Sequence, residues 1–457
     1  MSVKMGTAGL PAFQTLARED RIARSVSVAL VGYGRRGEEV LDALARVQGA
    51  HVAAVADIWP WRREVALGRM RALKRRVGAY ETLEELLSAE GDKVDAVIVA
   101  TPDWQHANHT SACLAAGKHV YCEGELAESL QKAREVVLLA RKRGLLVQGG
   151  HQRRSNPRYI HAFERVCREG GALGRITHAY AQWHRGAEPL RKLAPRFDLP
   201  AEKLDALGYP NMSEFMNWEW HSQYGLGVAA SLAGQKLDLM RWLWRAEPVS
   251  VSALAGCDGL GRGTPDSLMA LFTFARQDGE LVRGYVQVLH GCSRGGSYEQ
   301  FMGEHSTLTI SEVAACGNAV QPEGTCMNLD SPVKKDVWDS NIQAGRILPL
   351  REPPALEGEA KVVVDSRVSP NAPGWPLPIR LDKPAIQPHL ENFVAAVRGE
   401  VSLNDPAEQA YANLVAVKGV LRSAQAGAPV DFSAMDFRCE TGEKQVAAAP
   451  IFRAAGT

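Results

Sequence analysis

The sequence predicts two domains: an α/β domain built on a doubly wound parallel sheet, followed by an α+β domain with a large, open, mostly antiparallel sheet. Three observations carry this. The chain has 457 residues, which exceeds what a single core of ordinary size encloses. Between Val26 and Gly150 short apolar runs alternate with helix-like segments, the pattern of parallel strands joined by crossover helices. After about His151 the texture changes to longer runs with strand character.

The elements follow in order. VSVALV (Val26–Val31) reads as a buried strand, and the stretch from Arg35 to Val47 as a helix. HVAAVAD (His51–Asp57) and VDAVIVAT (Val94–Thr101) read as further strands. A helix is expected around His109–Ala116, then a strand at HVYCE (His119–Glu123), a helix at Leu130–Gly144 and a strand at LLVQGG (Leu145–Gly150). In the second half a helix at Tyr159–Glu169 precedes strands at Arg175–His184, Val249–Gly256, Ser267–Ala275, Leu281–Gly291 and Phe301–Ser311. Residues 330–387, rich in Pro and charge, are expected to form a long excursion or arm. Two helices, His389–Arg398 and Ala407–Ala424, are expected to pack back on the body. The resulting division is an N-terminal arm over 1–25, a first domain over 26–150, a second over 151–432 and a tail over 433–457.

Composition excludes several classes. The formal net charge is +1, so no strong field favours nucleic acid or an acidic membrane. No apolar run is long enough to span a bilayer, and the first twenty residues hold no apolar signal core; the expectation is a cytoplasmic protein. Eight cysteines, Cys113, Cys122, Cys167, Cys257, Cys292, Cys316, Cys326 and Cys439, are scattered without a CxxC pair. Reduced thiols are expected, and no zinc-ligand spacing is present.

The motif with chemistry is Gly32-Tyr33-Gly34-Arg35-Arg36-Gly37, a G-x-G-x-x-G. The pattern is weak alone, but here it follows a strand and opens a helix. Gly32 permits the tight turn, Gly34 removes a side chain that would hold a pyrophosphate away, and Gly37 lets helix and strand approach. The helix N-terminus then offers N–H groups and partial positive charge to phosphates. Asp57 ends the second strand, twenty-five residues after Gly32, where a carboxylate accepts the adenine-ribose hydroxyls and repels the extra phosphate of NADP. The competing reading is a cap for the helix beginning near Pro60. Arg62 and Arg63 are near enough to meet a phosphate or stack on adenine. A Rossmann domain binding NAD is the expectation.

Further along, the sequence resembles the Gfo/Idh/MocA family, named for glucose–fructose oxidoreductase and inositol dehydrogenase. The likeness rests on VGYGRRG, on Thr101-Pro102 with His106 beyond, on Ala116-Gly117-Lys118-His119-Val120 followed by Glu123, and on His389-Leu390-Glu391-Asn392-Phe393 with Val397-Arg398 after it. It covers most of residues 26–432. The resemblance implies nicotinamide chemistry on sugars or polyols and an open sheet that often forms an oligomer interface, hence a dimer or tetramer. It also implies that Thr101 and Pro102 shape the loop near the nicotinamide, that His106 belongs to that loop's motif, and that Glu123 hydrogen-bonds the ribose.

The sequence departs from the family where the reaction is decided. Glu-Lys-Pro becomes Glu123-Gly124-Glu125, and the helix motif Asp-x-Gly-x-His-x-x-Asp becomes Ser231-Leu232-Ala233-Gly234-Gln235-Lys236-Leu237-Asp238. Gln235 cannot act as a base at neutral pH, and only Asp238 remains; Ser231, Gln235 and Asp238 share one helix face. Alcohol oxidation needs a proton acceptor. The stretch Asn217–Gly225 supplies candidates: His221 as base, Tyr224 as proton donor, and Trp218 and Trp220 to stack on a sugar ring. A surface loop with buried tryptophans is the competing reading. Lys236 is a substitute base if its helix is rotated, although a lysine there is more often solvated. His151 and Arg153 follow a strand end and either touch substrate or pack a domain hinge; Arg153 suits an acidic or phosphorylated sugar. Three functions remain open: an NAD-dependent oxidoreductase on a sugar, polyol or glycoside; a redox-neutral glycosidase or lyase that recycles bound NAD through a keto-sugar; and a non-catalytic NAD-binding protein.

Overall fold

The computed structural model describes residues 25–258, 263–313, 318–322, 332–349 and 374–439. The expected arm over 1–25, apart from Ser25, lies outside the described residues, as does the tail beyond 439; of the 330–387 excursion, 332–349 and 374–387 are described.

Six parallel strands form the first sheet: β1 (Val26–Val31), β2 (Ala50–Ala56), β3 (Gly78–Tyr80), β4 (Ala96–Val99), β5 (His119–Cys122) and β6 (Val147–Gln148). Their order is β3-β2-β1-β4-β5-β6, with every pairing parallel. The chain reverses its winding between β1 and β4, so the crevice at their carboxyl ends is the switch point where such sheets take ligands. The crossover helices are α1 (Arg35–Leu44), α2 (Pro60–Ala72), α3 (Leu83–Glu90), α4 (Asp103–Ala115) and α5 (Leu130–Arg143).

Local chemistry sets the helix ends. Ser129 caps α5 by accepting from Lys132 N, three basic residues fill the last turn, and Gly144 closes it with φ +64°, which a side chain would resist. Helix α4 begins at Asp103, six residues before the expected start. Pro102 fixes the entering backbone, and Asp103 complements the N-terminal partial charge.

The second sheet has nine strands in the order β14-β13-β12-β11-β7-β10-β9-β8-β15. They are β7 (Ile176–Arg185), β8 (Pro248–Gly256), β9 (Ser267–Ala275), β10 (Leu281–His290), β11 (Ser297–Gly303), β12 (Ser306–Ile310), β13 (Ala319–Pro322), β14 (Trp375–Pro376) and β15 (Val430–Asp431). The sheet is mixed, because β7 and β10 run parallel while their other neighbours are antiparallel. The single strand expected at Phe301–Ser311 is two, β11 and β12, paired as a hairpin. The run looks continuous because Phe301, Leu308 and Ile310 are all core residues, while Glu304-His305 between the strands carry the reversal.

Helices α6 (Val228–Trp244), α7 (Gln387–Val397) and α8 (Ala407–Ala426) complete the body. In β9, Leu268, Ala270, Phe272 and Phe274 are buried and Met269 and Leu271 exposed, the period of two that gives a sheet one inner face. Helices α6 and α8 cover that face. Contact is close: a Cβ on Gly284 of β10 would sit 2.5 Å from Met240 Sδ. Helix α7 returns to the first domain, where Leu390 and Phe393 join Leu30, Leu41, Met70 and Ile98 in one core.

Candidate functional site

The glycine loop meets the steric requirements of its motif one by one. Gly32 has φ +89°, and a Cβ there would lie 2.6 Å from Ala100 O. A Cβ on Gly37 would lie 2.0 Å from Gly32 O, whereas one on Gly34 would meet nothing within 4 Å. Gly32 and Gly37 are therefore required by the fold itself. Gly34 is not, and the space beside it at the start of α1 suits a pyrophosphate.

Asp57 stands beside this loop. Its carboxylate accepts Tyr33 N at 2.7 Å and Trp59 N at 2.8 Å. Burial pushes its pKa up, against the two N–H donors, Arg62 and Arg63. No side chain caps α2, so Asp57 braces the glycine loop against the β2 turn rather than capping the helix. Arg62 lies 4.7 Å over the Trp61 ring and Tyr33 is buried.

The loop after β4 is clamped by His106, which donates from Nε2 to Thr101 O and from Nδ1 to Glu125 O, both at 2.7 Å. Carbonyl oxygens only accept, so both ring nitrogens must carry protons. Burial opposes that charge, Cys122 and Asp103 favour it, and the pKa is pushed up to about 10. Thr101 Oγ1 is 3.1 Å from His109 Nδ1. Glu123 accepts from Arg36 Nε at 2.6 Å and from Tyr121 Oη at 3.0 Å. Arg36 also donates to Gln152 at 2.7 Å, so the second arginine of the glycine motif ties the phosphate end of the crevice to the Glu123 turn.

Gly124 adopts φ +69°, a conformation in which a lysine would be strained. A Cβ on Gly150 would lie 2.1 Å from Gly124 N, so the turn is packed tightly against the strand end. Glu125 turns inward and is buried. His151 meets Asp405 Oδ2 at 2.7 Å through Nδ1 and Asn413 at 2.8 Å through Nε2. Burial opposes charge on His151, but Asp405 and Asp238 hold its pKa well above the usual value. His151 thus lies in the packed hinge between the domains, a position the sequence left open.

Asp238 is held by two hydrogen bonds from Arg154, both 2.8 Å, and is buried. Both of its oxygens are engaged by that pair, and Arg241 Nη1 lies 3.5 Å from Oδ1. Lys236 is buried, unlike the solvated lysine that is common at such a position. Its ammonium donates to Ser297 Oγ at 2.8 Å and to Glu299. Burial draws its pKa down to about 8 against the pull of Glu299. Lys236 Nζ lies 5.1 Å and Arg153 Cζ 4.8 Å from the Trp183 ring centroid. Arg153 Nη1 is 3.4 Å from Gln235 Oε1, and Arg153 pairs with Glu312 at 2.5 Å. These groups lie at the inner face of the second sheet.

The remaining candidates belong to residues 186–226, which leave β7 and cross the carboxyl edge of the first sheet. Trp59 Nε1 donates to Phe197 O at 2.6 Å, Trp104 N to Tyr224 O at 3.2 Å, and Lys203 pairs with Glu81. Trp59, Tyr209, Met212 and Tyr224 form a core of their own, with Trp61, Trp104 and Trp218 packed on it. Tyr224 Oη donates to Gly208 O at 2.8 Å, and His221 Nδ1 is 3.8 Å from Glu214. Trp220 is buried. Sequence reasoning missed Trp183, Glu299, Asp405 and Asn413. Nothing local marks them, because they reach the site only through the second sheet and α8.

A six-stranded parallel sheet with this glycine loop and this carboxylate defines a dinucleotide-binding class. Residues 26–151 match the GFO_IDH_MocA oxidoreductase family, described as an NAD-binding Rossmann fold, and the match concerns this first domain. The 4-carboxy-2-hydroxymuconate-6-semialdehyde dehydrogenase of Sphingobium sp. is 36% identical over 136 residues, 29% of this chain and 41% of that protein. Inositol 2-dehydrogenase of Rubrobacter xylanophilus is 35% identical over 168 residues, 36% of this chain and 45% of that protein. The chain thus spans less than half the length of these two relatives. The crystal structure of aldose–aldose oxidoreductase from Caulobacter crescentus superimposes with a TM-score of 0.65 at 15% identity, covering 90% of this chain and 100% of that one; this likeness concerns the fold.

Proposed function

We propose that the protein is an NAD-dependent oxidoreductase that moves a hydride between nicotinamide and the hydroxyl-bearing carbon of a sugar, polyol or glycoside. The observation that carries this reading is the glycine loop: two glycines are required by packing, and the third, Gly34, faces open space at a helix N-terminus. Bound there, the dinucleotide supplies the hydride acceptor. Gly34 and the first turn of α1 receive the pyrophosphate, Asp57 the adenine ribose, and Arg36 and Glu123 line the path towards the nicotinamide. Thr101 and Pro102, clamped by His106, hold the loop beside the reacting face. Asp57 favours NAD over NADP, since its charge repels a 2′-phosphate.

The substrate side is built from Arg153, Gln235, Trp183 and the Trp218–His221 stretch. With Asp238 committed to Arg154, the proton acceptor is His221 or Lys236. Lys236 has the pKa suited to the task, near 8; His221 has the greater exposure. Turnover of His221→Ala, Lys236→Ala and Asp238→Ala on a panel of sugars and polyols, followed at the nicotinamide absorbance band, separates them. Loss of a true base lowers the rate about 10²–10⁴-fold. If neither His221→Ala nor Lys236→Ala changes turnover by about tenfold, both are wrong and His151 or Tyr224 takes the role.

One observation favours a second reading, redox-neutral recycling of bound NAD. Gly124 stands where the family carries lysine, in a left-handed conformation that a lysine enters only with strain. Product formed from a glycoside without added cofactor or net NADH supports recycling. We also propose a homo-oligomer, because Leu254, Met269, Leu271 and Leu281 are exposed on three neighbouring strands, β8, β9 and β10.

A further inference from the structure

Arg185 is the last residue of β7. Trp183, two residues earlier, points to the same side of the sheet, where Arg153 and Lys236 lie over its ring. Across the parallel pair, Arg185 is in register with His290 of β10. His290 packs edge-on against Trp220, with ring centroids 5.4 Å apart. This corner of the inner face therefore presents a guanidinium between aromatic walls, next to the crevice of the first domain.

The charges around it do not balance. Glu188 is shared: one carboxylate oxygen lies 3.5 Å from Arg185 Nη1 and the other 3.5 Å from Arg35 Nη1 of the glycine loop. Arg191 takes Glu219. Three guanidinium groups thus face two carboxylates, and Arg185 reaches its carboxylate only at 3.5 Å, the distance Arg35 also keeps. Its Nε is buried without a hydrogen-bond partner. Burial, with Arg35 and Arg191 beside it, outweighs Glu188 and Glu219 and lowers the pKa of Arg185. Arginine does not answer this by losing its proton, so the cost of an under-compensated cation stays in the ligand-free protein.

The geometry says which ligand relieves it. Glu188 meets Nη1, and the opposite edge, formed by Nε and Nη2, is the fork that takes a carboxylate or phosphate through two parallel hydrogen bonds. The side chain is 23% exposed, so the guanidinium is not sealed from solvent although its Nε has no partner. We infer that Arg185 binds an acidic substituent of the substrate, a carboxylate or phosphate, and that the substrate is an acidic sugar or polyol derivative. This rests on reading the same cleft as a nicotinamide oxidoreductase. The pyrophosphate of the dinucleotide offers the same chemistry, but Arg185 stands on the sheet beside Trp183 and His290, whereas Arg35 is the arginine on the phosphate-binding loop.

The test compares wild type with Arg185→Gln by calorimetric titration. The probes are glucuronate and glucose 6-phosphate against glucose, each with and without NAD present, and NAD is titrated separately. The wild type is expected to bind an acidic probe about tenfold more tightly than glucose, and Arg185→Gln to bring that ratio close to one. NAD affinity should stay within about twofold. Arg185→Lys should recover part of the preference, since it restores charge without the fork. Equal binding of acidic and neutral probes by the wild type overturns the proposal. So does a large loss of NAD affinity in Arg185→Gln with the probe ratio unchanged, which assigns the guanidinium to the pyrophosphate. Failure of NAD to bind the wild type strikes the oxidoreductase reading instead, while the titrations without NAD still read the anion preference.

Discussion

His106 shows how much a single side chain decides. It bonds two backbone carbonyls, one in each of the loops that flank the expected nicotinamide position, and only the doubly protonated ring serves both. Its pKa rises from 6.5 to about 10 on folding. A raised pKa gives stabilisation that is complete below the unfolded value and lost as pH climbs through the folded one. Thermal stability is therefore expected to decline between pH about 6.5 and 10, and His106→Gln, which cannot bear charge, should flatten that decline. An unchanged slope in the variant would mean that another group titrates there. The sequence marked His106 through its motif but not its role, because nothing in the spacing says that both partners are carbonyls. Asp238 teaches the converse. Its motif position suggested catalysis, yet Arg154 takes both oxygens, and that arginine lies far away in the chain.

Among the elements, those whose burial follows a simple period were legible from sequence. Strands β1, β9 and β10 and helices α5 and α8 fall within two residues of expectation, because buried runs and alternation report directly on which side faces the core. The short β3, intermediate in exposure throughout, left no such trace. The sequence offers Asn217–Gly225 as a source of catalytic and stacking side chains or a surface loop, but not the crossing of the first sheet by residues 186–226, since Trp59, Trp104 and Phe197 become neighbours only in the folded chain. The outer face of the second sheet carries its own consequence. Leu271 is 60% exposed and Leu254 71%, on a face wide enough to lose substantial apolar area to a second copy. Leu271→Arg should lower the mass measured by light scattering towards that of one chain while leaving circular dichroism unchanged. A wild type that already runs as a single chain would remove the interface.

For the whole molecule, the two sheets meet through a polar hinge rather than a purely apolar one. His151, Arg154, Asp238, Asp405 and Asn413 are buried there, and His151 and Arg154, against the cost of burial, hold Asp405 down to about 2. Such a network specifies one relative placement, because each member leaves a buried charge unmet if the domains shift. It fixes the crevice between glycine loop and sheet face. The central claim is that this crevice takes NAD, with Asp57 reading the adenine ribose. Calorimetric titration of the wild type and Asp57→Ala with NAD and NADP tests it most directly. The wild type should bind NAD well and NADP poorly, and Asp57→Ala should narrow the gap by weakening NAD and relieving repulsion of the 2′-phosphate. Equal affinity of the wild type for the two dinucleotides, or no binding of either, would contradict the account.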